Sequence, residues 1–374
     1  MTSTSQWIIG LILPVHLEYA RNILEGVSQW TYAHPEVNLN MISESGTPLH
    51  PEDMDFQPDG ILSFTQADEL QHVYSLSPVV VSVSNRVRPA GADFVITDDH
   101  EVGRMAAEHF IRRGFRDLAF FGKSEHQYSI ERHQGFCERA EAAGISVRSV
   151  DLSVDEAPVK HLQRLKPKTG VFVANDILAR MLLTNIDSPI QRVPLHVAIL
   201  GVDNDIIQRS LCPIPLSSIE PDGRSVGFTA MEQLLKRIRT PGAPFETLRI
   251  PPLRVHTRQS TDLYALEDEL AVKILETLDE HLPELSNVAD LVRHLNIPRR
   301  TLEHRFRKAT GRTLAKELAT LRIERARDLL RNTDHSIDHV ARDVGLPEAR
   351  MLWLLFKRHT GETPRQYRNR VQYV

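Results

Sequence analysis

The sequence predicts an α/β domain over residues 1–262 followed by an all-α domain over residues 263–374, and three observations carry that expectation. Short apolar runs bounded by polar turns alternate with stretches of helical periodicity as far as about residue 255. That is the pattern of a parallel sheet with helices on its faces. A turn-rich segment follows, with Pro241-Gly-Ala-Pro and Ile250-Pro-Pro, and beyond Asp262 the apolar residues recur only at spacings of three and four. Charge divides in the same sense: residues 291–374 carry 19 Lys+Arg against 9 Asp+Glu, a balance of +10, while residues 1–290 carry 26 against 40, or −14. A basic domain on an acidic body suits a protein that puts one end on a polyanion.

Taken in order, continuous apolar runs mark strands at 8–15, 59–64, 79–83, 94–97, 118–121, 171–174 and 197–201, as expected of strands buried on both faces. Helices fall between them, among them 102–113 and 130–143, each followed by a glycine, Gly114 and Gly144, able to end a helix with φ > 0. Open α/β sheets bind ligands at the carboxyl ends of their strands. Those positions are polar here: His16 and Glu18, Asn85 and Arg86, Asp98 and Asp99, Asn175 and Asp176, Asp203 and Asn204, with Arg132 entering a helix just downstream. Carboxylates, amides and guanidinium groups converging on one cleft can grip paired hydroxyls, and Tyr19 or Phe64 can cover an apolar sugar face. Each of these residues is also an ordinary turn or N-cap residue, so the grouping carries more weight than any member.

In the last third, breaks at Pro283, Asn296, Gly311, Thr333 and Gly345 leave room for five or more short helices. Residues 287–308 have the layout of a helix-turn-helix: Leu291 and Val292 pack the first helix, Asn296 tolerates φ > 0 at the turn, Pro298 opens the second helix, and Leu302 and Phe306 bury it. The opposite face carries Arg299, Arg300, Glu303, His304, Arg307 and Lys308, a set able to reach phosphates and base edges. A second copy occupies 336–358, beyond a long basic helix at 313–331, with Ala341 as the small contact residue, Gly345 at the turn and Phe356 as the buried anchor.

Other functions have weaker support. Cys137 and Cys212 have no CxxC spacing, which excludes a disulfide framework or four-cysteine zinc site and fits a reducing cytoplasm. The start of the chain has no basic segment of a signal peptide, and no apolar run reaches the 18 to 20 residues or so of a membrane span. Gly223-Arg-Ser-Val-Gly227 fits the G-x-S-x-G pattern of a hydrolase, but it is expected simply to start a helix packed on the sheet. His335 and His339 have metal-ligand spacing with no third ligand in evidence, so no metal is expected. A nucleotide-dependent α/β enzyme is the alternative of a different class, although no G-x-G-x-x-G follows the first strand. No cofactor and no catalytic residue are expected.

Through Val340-Ala-Arg-Asp-Val-Gly-Leu, Phe356-Lys-Arg-His-Thr-Gly-Glu-Thr-Pro and Gln366-Tyr-Arg the chain resembles the AraC/XylS family of transcription regulators over about residues 266–370. The resemblance implies paired recognition helices in successive major grooves of operator DNA, and RNA polymerase as a partner. Arg300, Glu303 and His304 would then face bases, with Arg299 and Lys308 near phosphates. The second recognition helix, whose DNA-facing set would be Ala349, Arg350, Trp353 and Lys357, departs from the family, since it has Ala349, Arg350, Trp353 and Leu354 where polar readers are usual and only Arg350 keeps an obvious hydrogen-bonding reader. Specificity is therefore expected to rest mainly on the first motif.

Residues 7–262 resemble LacI/GalR-type sensors and the type I periplasmic sugar-binding fold through Val81-Ser-Val-Ser-Asn-Arg86, Val171-Phe-Val-Ala-Asn-Asp176, Val193-Pro-Leu-His-Val-Ala-Ile-Leu-Gly-Val-Asp-Asn204 and Arg258-Gln-Ser-Thr261. That implies two lobes closing on a ligand, with parallel sheets, one lobe from about 1–115 and 222–245 and the other from about 116–221 and 246–262. Arg86, Arg132, Asn175, Asp176 and Asp203 would line the cleft. Together the resemblances imply a cytoplasmic homodimer that responds to a sugar, xylose or a related one, or else a regulator of the same build responding to another small metabolite.

Overall fold

The computed structural model describes residues 7–47, 54–64, 70–77, 79–86, 88, 92–154, 158–186, 193–266 and 268–372; the expected domain ends at 1 and 374 fall outside them. The chain divides into two compact units, Met1–Ile111 with Arg116–Leu263, and Tyr264–Val374 with the short segment Arg112–Phe115.

The first unit holds two six-stranded sheets. One contains β1 (Trp7–Ile12), β2 (Val37–Ser43), β3 (Gly60–Ser63), β4 (Val80–Ser82), β5 (Asp93–Thr97) and β11 (Thr247–Ile250), in the order β11-β5-β4-β3-β1-β2, all parallel. The other contains β6 (Asp117–Gly122), β7 (Val147–Asp151), β8 (Thr169–Val173), β9 (Val197–Val202), β10 (Ser217–Glu220) and β12 (Arg254–His256), in the order β12-β10-β9-β8-β6-β7. Only β12 runs antiparallel to its neighbour. The central strands β3, β4, β5, β8 and β9 are buried along their whole length, as the unbroken apolar runs require.

Around these sheets lie α1 (Glu18–Tyr32), α2 (Leu70–Leu76), α3 (Asp99–Arg112), α4 (Gln127–Glu141), α5 (Pro158–Gln163), α6 (Asp176–Thr184), α7 (Ile206–Ser210) and α8 (Gly223–Arg239). Helices α1 and α8 pack on each other so closely that a Cβ at Gly26 would stand 2.0 Å from Arg224 O, and one at Gly227 the same distance from Ile23 O. Ile23, Val27 and Trp30 of α1 join Val226, Met231 and Leu234 of α8 over Ile9, Leu62, Val81 and Val95 of the first sheet. That packing is the role of Gly223-Arg-Ser-Val-Gly227: Ser225, 5 % exposed, donates to its own N-cap Asp222 at 2.8 Å and starts a helix.

Two expected lobe boundaries shift. The sequence expectation runs the first lobe to about residue 115, but α3 packs with the second lobe: a Cβ at Gly103 would meet Arg132 O, His109 Nε2 lies 2.9 Å from Thr261 Oγ1, and the Phe110 and Phe136 rings are 6.4 Å apart. The crossing thus falls directly after β5, because the apolar face of α3 finds its partners on α4. The sequence expectation assigns residues 246–250 to the second lobe, yet β11 completes the edge of the first sheet beside β5, and the final crossing follows Ile250.

In the second unit are α9 (Glu269–Glu280), α10 (Val288–Leu295), α11 (Arg299–Thr310), α12 (Leu314–Asn332), α13 (Ile337–Asp343), α14 (Ala349–Thr360) and α15 (Pro364–Gln372). They build two small cores. Leu270, Ile274, Leu291, Leu302, Phe306, Leu314 and Leu318 form one, and Ile323, Ala326, Leu330, Val340, Leu352, Phe356 and Tyr367 form the other. The long helix α12 serves both. Between its two apolar stretches Arg322 is buried and donates to the carbonyls of Val344 (3.0 Å), Ser286 (2.8 Å), Gly345 (3.1 Å) and Leu285. One guanidinium thereby ties together the loops that precede or close the first helices of both motifs. Among the described residues, no helix is long and apolar enough to cross a membrane.

Candidate ligand cleft and nucleic-acid interface

Parallel strands set their carboxyl ends along one rim, and in the first unit the rims of both sheets border a cavity of about 310 Å³, at the small end of the range for small-molecule sites. From the first lobe it is lined by His16, Glu18, Tyr19 and Phe64, and by Asn85, Arg86 and Thr97 at strand ends; from the second by Asp99, Tyr128, Arg132, Asn175, Asp203, Asp205 and Gln208.

Arg132 organises the floor. It is 6 % exposed, donates through Nε to Asp99 Oδ1 at 2.7 Å and through Nη1 to Ala174 O, and lies over the Tyr128 ring at 4.9 Å. Asn85 donates to the other Asp99 oxygen at 2.6 Å. Burial pushes the Asp99 carboxyl above its ordinary value, against the opposing pull of Arg132. Across the cavity Asn175 caps α6 through Leu178 N at 2.9 Å while its amide donates to Tyr128 Oη at 3.1 Å. The Tyr19 hydroxyl meets Thr97 Oγ1 at 2.8 Å, and its ring stands edge-on to Phe64 at 6.1 Å, so the two rings form an apolar wall. Burial raises the Tyr19 hydroxyl well above its ordinary value, which keeps it a neutral donor or acceptor.

Asp203 is the least ordinary member. Its backbone has φ of 107°, and Asn204 follows at 51°, so two non-glycine residues hold the left-handed region at the mouth of β9. Such strain persists only where the surroundings impose it, and it gathers at binding sites. Burial pushes the Asp203 carboxyl up to about 7, with Arg132 opposing and Asp205 and Asp99 adding to the rise.

Of the expected ligand residues, His16, Glu18, Tyr19, Asn85, Arg86, Arg132, Asn175 and Asp203 come together around the cavity, whereas Asp98, Asp176 and Asn204 do not line it. Asp98 accepts from Glu101 N at 3.2 Å as a cap of α3, leaving Asp99 to turn inward. Asp176, fully buried, is consumed by Ser218 Oγ at 2.8 Å and Asp205 N at 3.0 Å, so it holds the second sheet together. Asn204 accepts from Arg258 at 2.7 Å and meets His256 at 3.2 Å. Helix-start geometry separates the first two pairs and the left-handed backbone separates Asp203 from Asn204, neither of which strand-end position alone encodes. The spacing of Tyr128 and Arg132, four apart on α4, was a readable signal for Tyr128; Thr97, Asp205 and Gln208 left none.

The second unit presents both expected motifs. Asn296 takes φ of 51° between α10 and α11, and Gly345 takes 73° between α13 and α14, where a Cβ would come 2.4 Å from Leu282 O. Pro298 stands one place before α11, as its N-cap. On α11 the residues Arg299, Arg300, Glu303, His304, Arg307 and Lys308 are all exposed, while Leu302 and Phe306 are buried. Arg299 Nε donates to Glu303 at 2.8 Å, which partly neutralises the acidic member of the face. On α14, Arg350, Trp353, Leu354 and Lys357 are exposed, Ala349 is half-buried, and the Lys357 ammonium sits 4.9 Å from the Trp353 ring. Trp353 at 41 % and Leu354 at 54 % are large apolar groups facing outward where α11 carries charge.

Residues 107–261 match the model of the periplasmic binding protein-like domain, and residues 291–370 match that of a helix-turn-helix domain. A periplasmic-binding-protein-like sensor domain and a helix-turn-helix DNA-binding domain in one chain define a ligand-responsive transcription regulator. Over nearly its whole length the chain is similar to the xylose operon regulatory proteins of Haemophilus influenzae, at 26 % identity over 96 % of this chain and 97 % of that one, and of Escherichia coli K12, at 25 % over 98 % of each. Among solved structures, that of the xylose-binding transcription activator xylR matches with a TM-score of 0.61 at 23 % identity over 99 % of each chain. A LacI family regulator from Enterococcus faecium with bound ribose matches at a TM-score of 0.54 and 21 % identity, over 68 % of this chain and 98 % of that one.

Proposed function

We propose that the cleft takes a neutral sugar, xylose or a close relative, and that its binding draws the two lobes together and changes how a homodimer of the chain engages operator DNA and RNA polymerase in the cytoplasm, activating sugar-catabolism genes. The observation that carries this reading is the lining of the cavity: two guanidinium groups, amides, tyrosines and four carboxylates, contributed by both lobes, with Tyr19 and Phe64 as an apolar wall. Paired donors and acceptors suit vicinal hydroxyls. Glu18, Asp99, Asp203 and Asp205 stand beside Arg86 and Arg132, so the lining offers no excess of positive charge to hold a phosphorylated sugar. A ligand touching both lobes binds the closed form better than the open one, which is the requirement for a switch. The residues that contact the ligand are, in this reading, His16, Glu18, Tyr19, Asn85, Arg86, Asp99, Arg132, Asn175 and Asp203.

The test is thermal unfolding of the purified protein against pentoses, hexoses and their phosphates, followed by footprinting on operator DNA. A ligand that binds the native state raises Tm by mass action. A rise with xylose and none with sugar phosphates is expected. A rise with another sugar alone replaces xylose as effector, and no rise with any sugar removes the sugar reading.

A further inference from the structure

We propose that His335, His339 and Asp343 form a binding site for one divalent transition-metal ion on the second helix-turn-helix motif. Sequence spacing singles out the two histidines but offers no third ligand; the fold supplies one, since Asp343 stands one helical turn after His339 on α13. Ser336 caps α13 by accepting from His339 N at 3.2 Å, and His335, immediately before that cap, is held by Thr333 Oγ1 through its N–H at 3.4 Å and by Arg368 on its carbonyl. These bonds turn its ring back along the helix. His335 Nδ1 lies 3.2 Å from Asp343 Oδ2, His339 Nε2 lies 3.5 Å from Asp343 Oδ1, and the two rings are 4.1 Å apart.

One ligand atom from each residue falls within 4.8 Å of the others. Tetrahedral ligands at about 2.0 to 2.2 Å from a zinc ion stand roughly 3.3 Å from one another. The two His–Asp separations run to different oxygens of the carboxylate, which binds through both or turns one of them to the ion, while rotation of the half-exposed imidazoles closes the remaining edge. Two imidazoles and a carboxylate select Zn²⁺, Co²⁺ or Ni²⁺ over Mg²⁺ and Ca²⁺, which prefer all-oxygen sets. The two rings lie tilted at 34° on the same side of the carboxylate, so a single metal ion can be reached by both rings and by Asp343. The bound ion fastens the residue before α13 to the last turn of α13, bracing the helix on which α14 is mounted. Water completes the coordination.

His281, Glu284 and His294 also draw together near the first motif, but the Glu284 side chain is 70 % exposed, and this group serves as the internal control. The experiment is equilibrium dialysis of the tag-free full-length protein against Zn²⁺, with Co²⁺ d–d absorption as a second readout. Wild type and His281→Ala are expected to retain one equivalent that His339→Ala and Asp343→Asn lose, with affinity at that site falling at least about tenfold. In EDTA the near-isosteric Asp343→Asn should melt with wild type, separating loss of metal from loss of fold. If both variants bind as much zinc as wild type, or if loss follows His281→Ala instead, the site is not there.

Discussion

Asp203 concentrates the chemistry of the cleft in one residue. Its carboxyl is raised from an ordinary 3.8 to about 7 by burial, so between those values the folded protein holds a proton that the unfolded chain releases. The sign follows from proton uptake: stability rises as the pH falls from about 7 towards 4, by up to about 1.4 kcal/mol per unit, and the gain is lost as pH rises through 7. Asp203→Asn should remove that slope and make the ligand-free protein more stable at pH 7.5. Urea unfolding of both proteins from pH 5.5 to 8 measures it, and parallel curves would show that the Asp203 carboxylate keeps its charge at no cost. Arg132 limits the rise without cancelling it, because its nearest bonds go to Asp99 and Ala174.

At the scale of elements, α11 and α14 are the same device with opposite surfaces. Each buries a pair four apart, Leu302 with Phe306 and Leu352 with Phe356, and each ends at a glycine with positive φ, Gly311 and Gly361. Outward, α11 offers several guanidinium groups and an imidazole, whereas α14 offers one guanidinium reader, Arg350, beside Trp353 and Leu354, which can touch thymine methyls but make no bidentate bond to a base edge. Substituting Arg300 or His304 with alanine should relax base preference by about 1 to 3 kcal/mol at one position each. Alanine at Arg350 or Trp353 should relax base preference less. Competition binding to a randomised operator library reads both effects, and greater relaxation from the α14 variants would reverse the ranking.

For the sensor as a whole, the lobes are joined by more than their crossing segments. Glu131 of α4, in the second lobe, accepts from Arg249 of β11 at 2.9 Å and lies 2.7 Å from Arg88, while Asn85 donates to it at 3.2 Å; all three partners come from the first lobe. Burial pushes the Glu131 carboxyl up, but the hydrogen bonds from Arg249, Gln127 and Asn85 and the charge of Arg88 outweigh it and hold it at about 2. In the proposed closure on a ligand these ion pairs bridge the two lobes, so their strength adds to ligand affinity. Glu131→Gln should weaken sugar binding by about tenfold, or 1.4 kcal/mol, with the cavity residues intact. An unchanged Kd by calorimetry would mean that the pairs persist when the lobes part.

The sequence by itself determined the layers, the helical tail and both recognition helices, because burial on both faces of a central strand, or on one stripe of a helix, writes a period that no distant contact alters. The strands it hid are those whose burial is incomplete or polar. β2 and β7 lie at sheet edges with Asn38 and Arg148 outward; β11 and β12 are no more than half-buried; β10 hides behind Ser217 and Ser218, buried only because Ser260, Arg258 and Asp176 bond them. Tertiary structure alone decided which residue of each polar pair faces the cleft, Asp99 over Asp98, Asn175 over Asp176, Asp203 over Asn204. It also set which lobe receives α3 and β11, and it placed Arg322 between the two motifs. Such choices depend on helical phase and on partners far away in the chain, and their free energy exists only once both surfaces are in place.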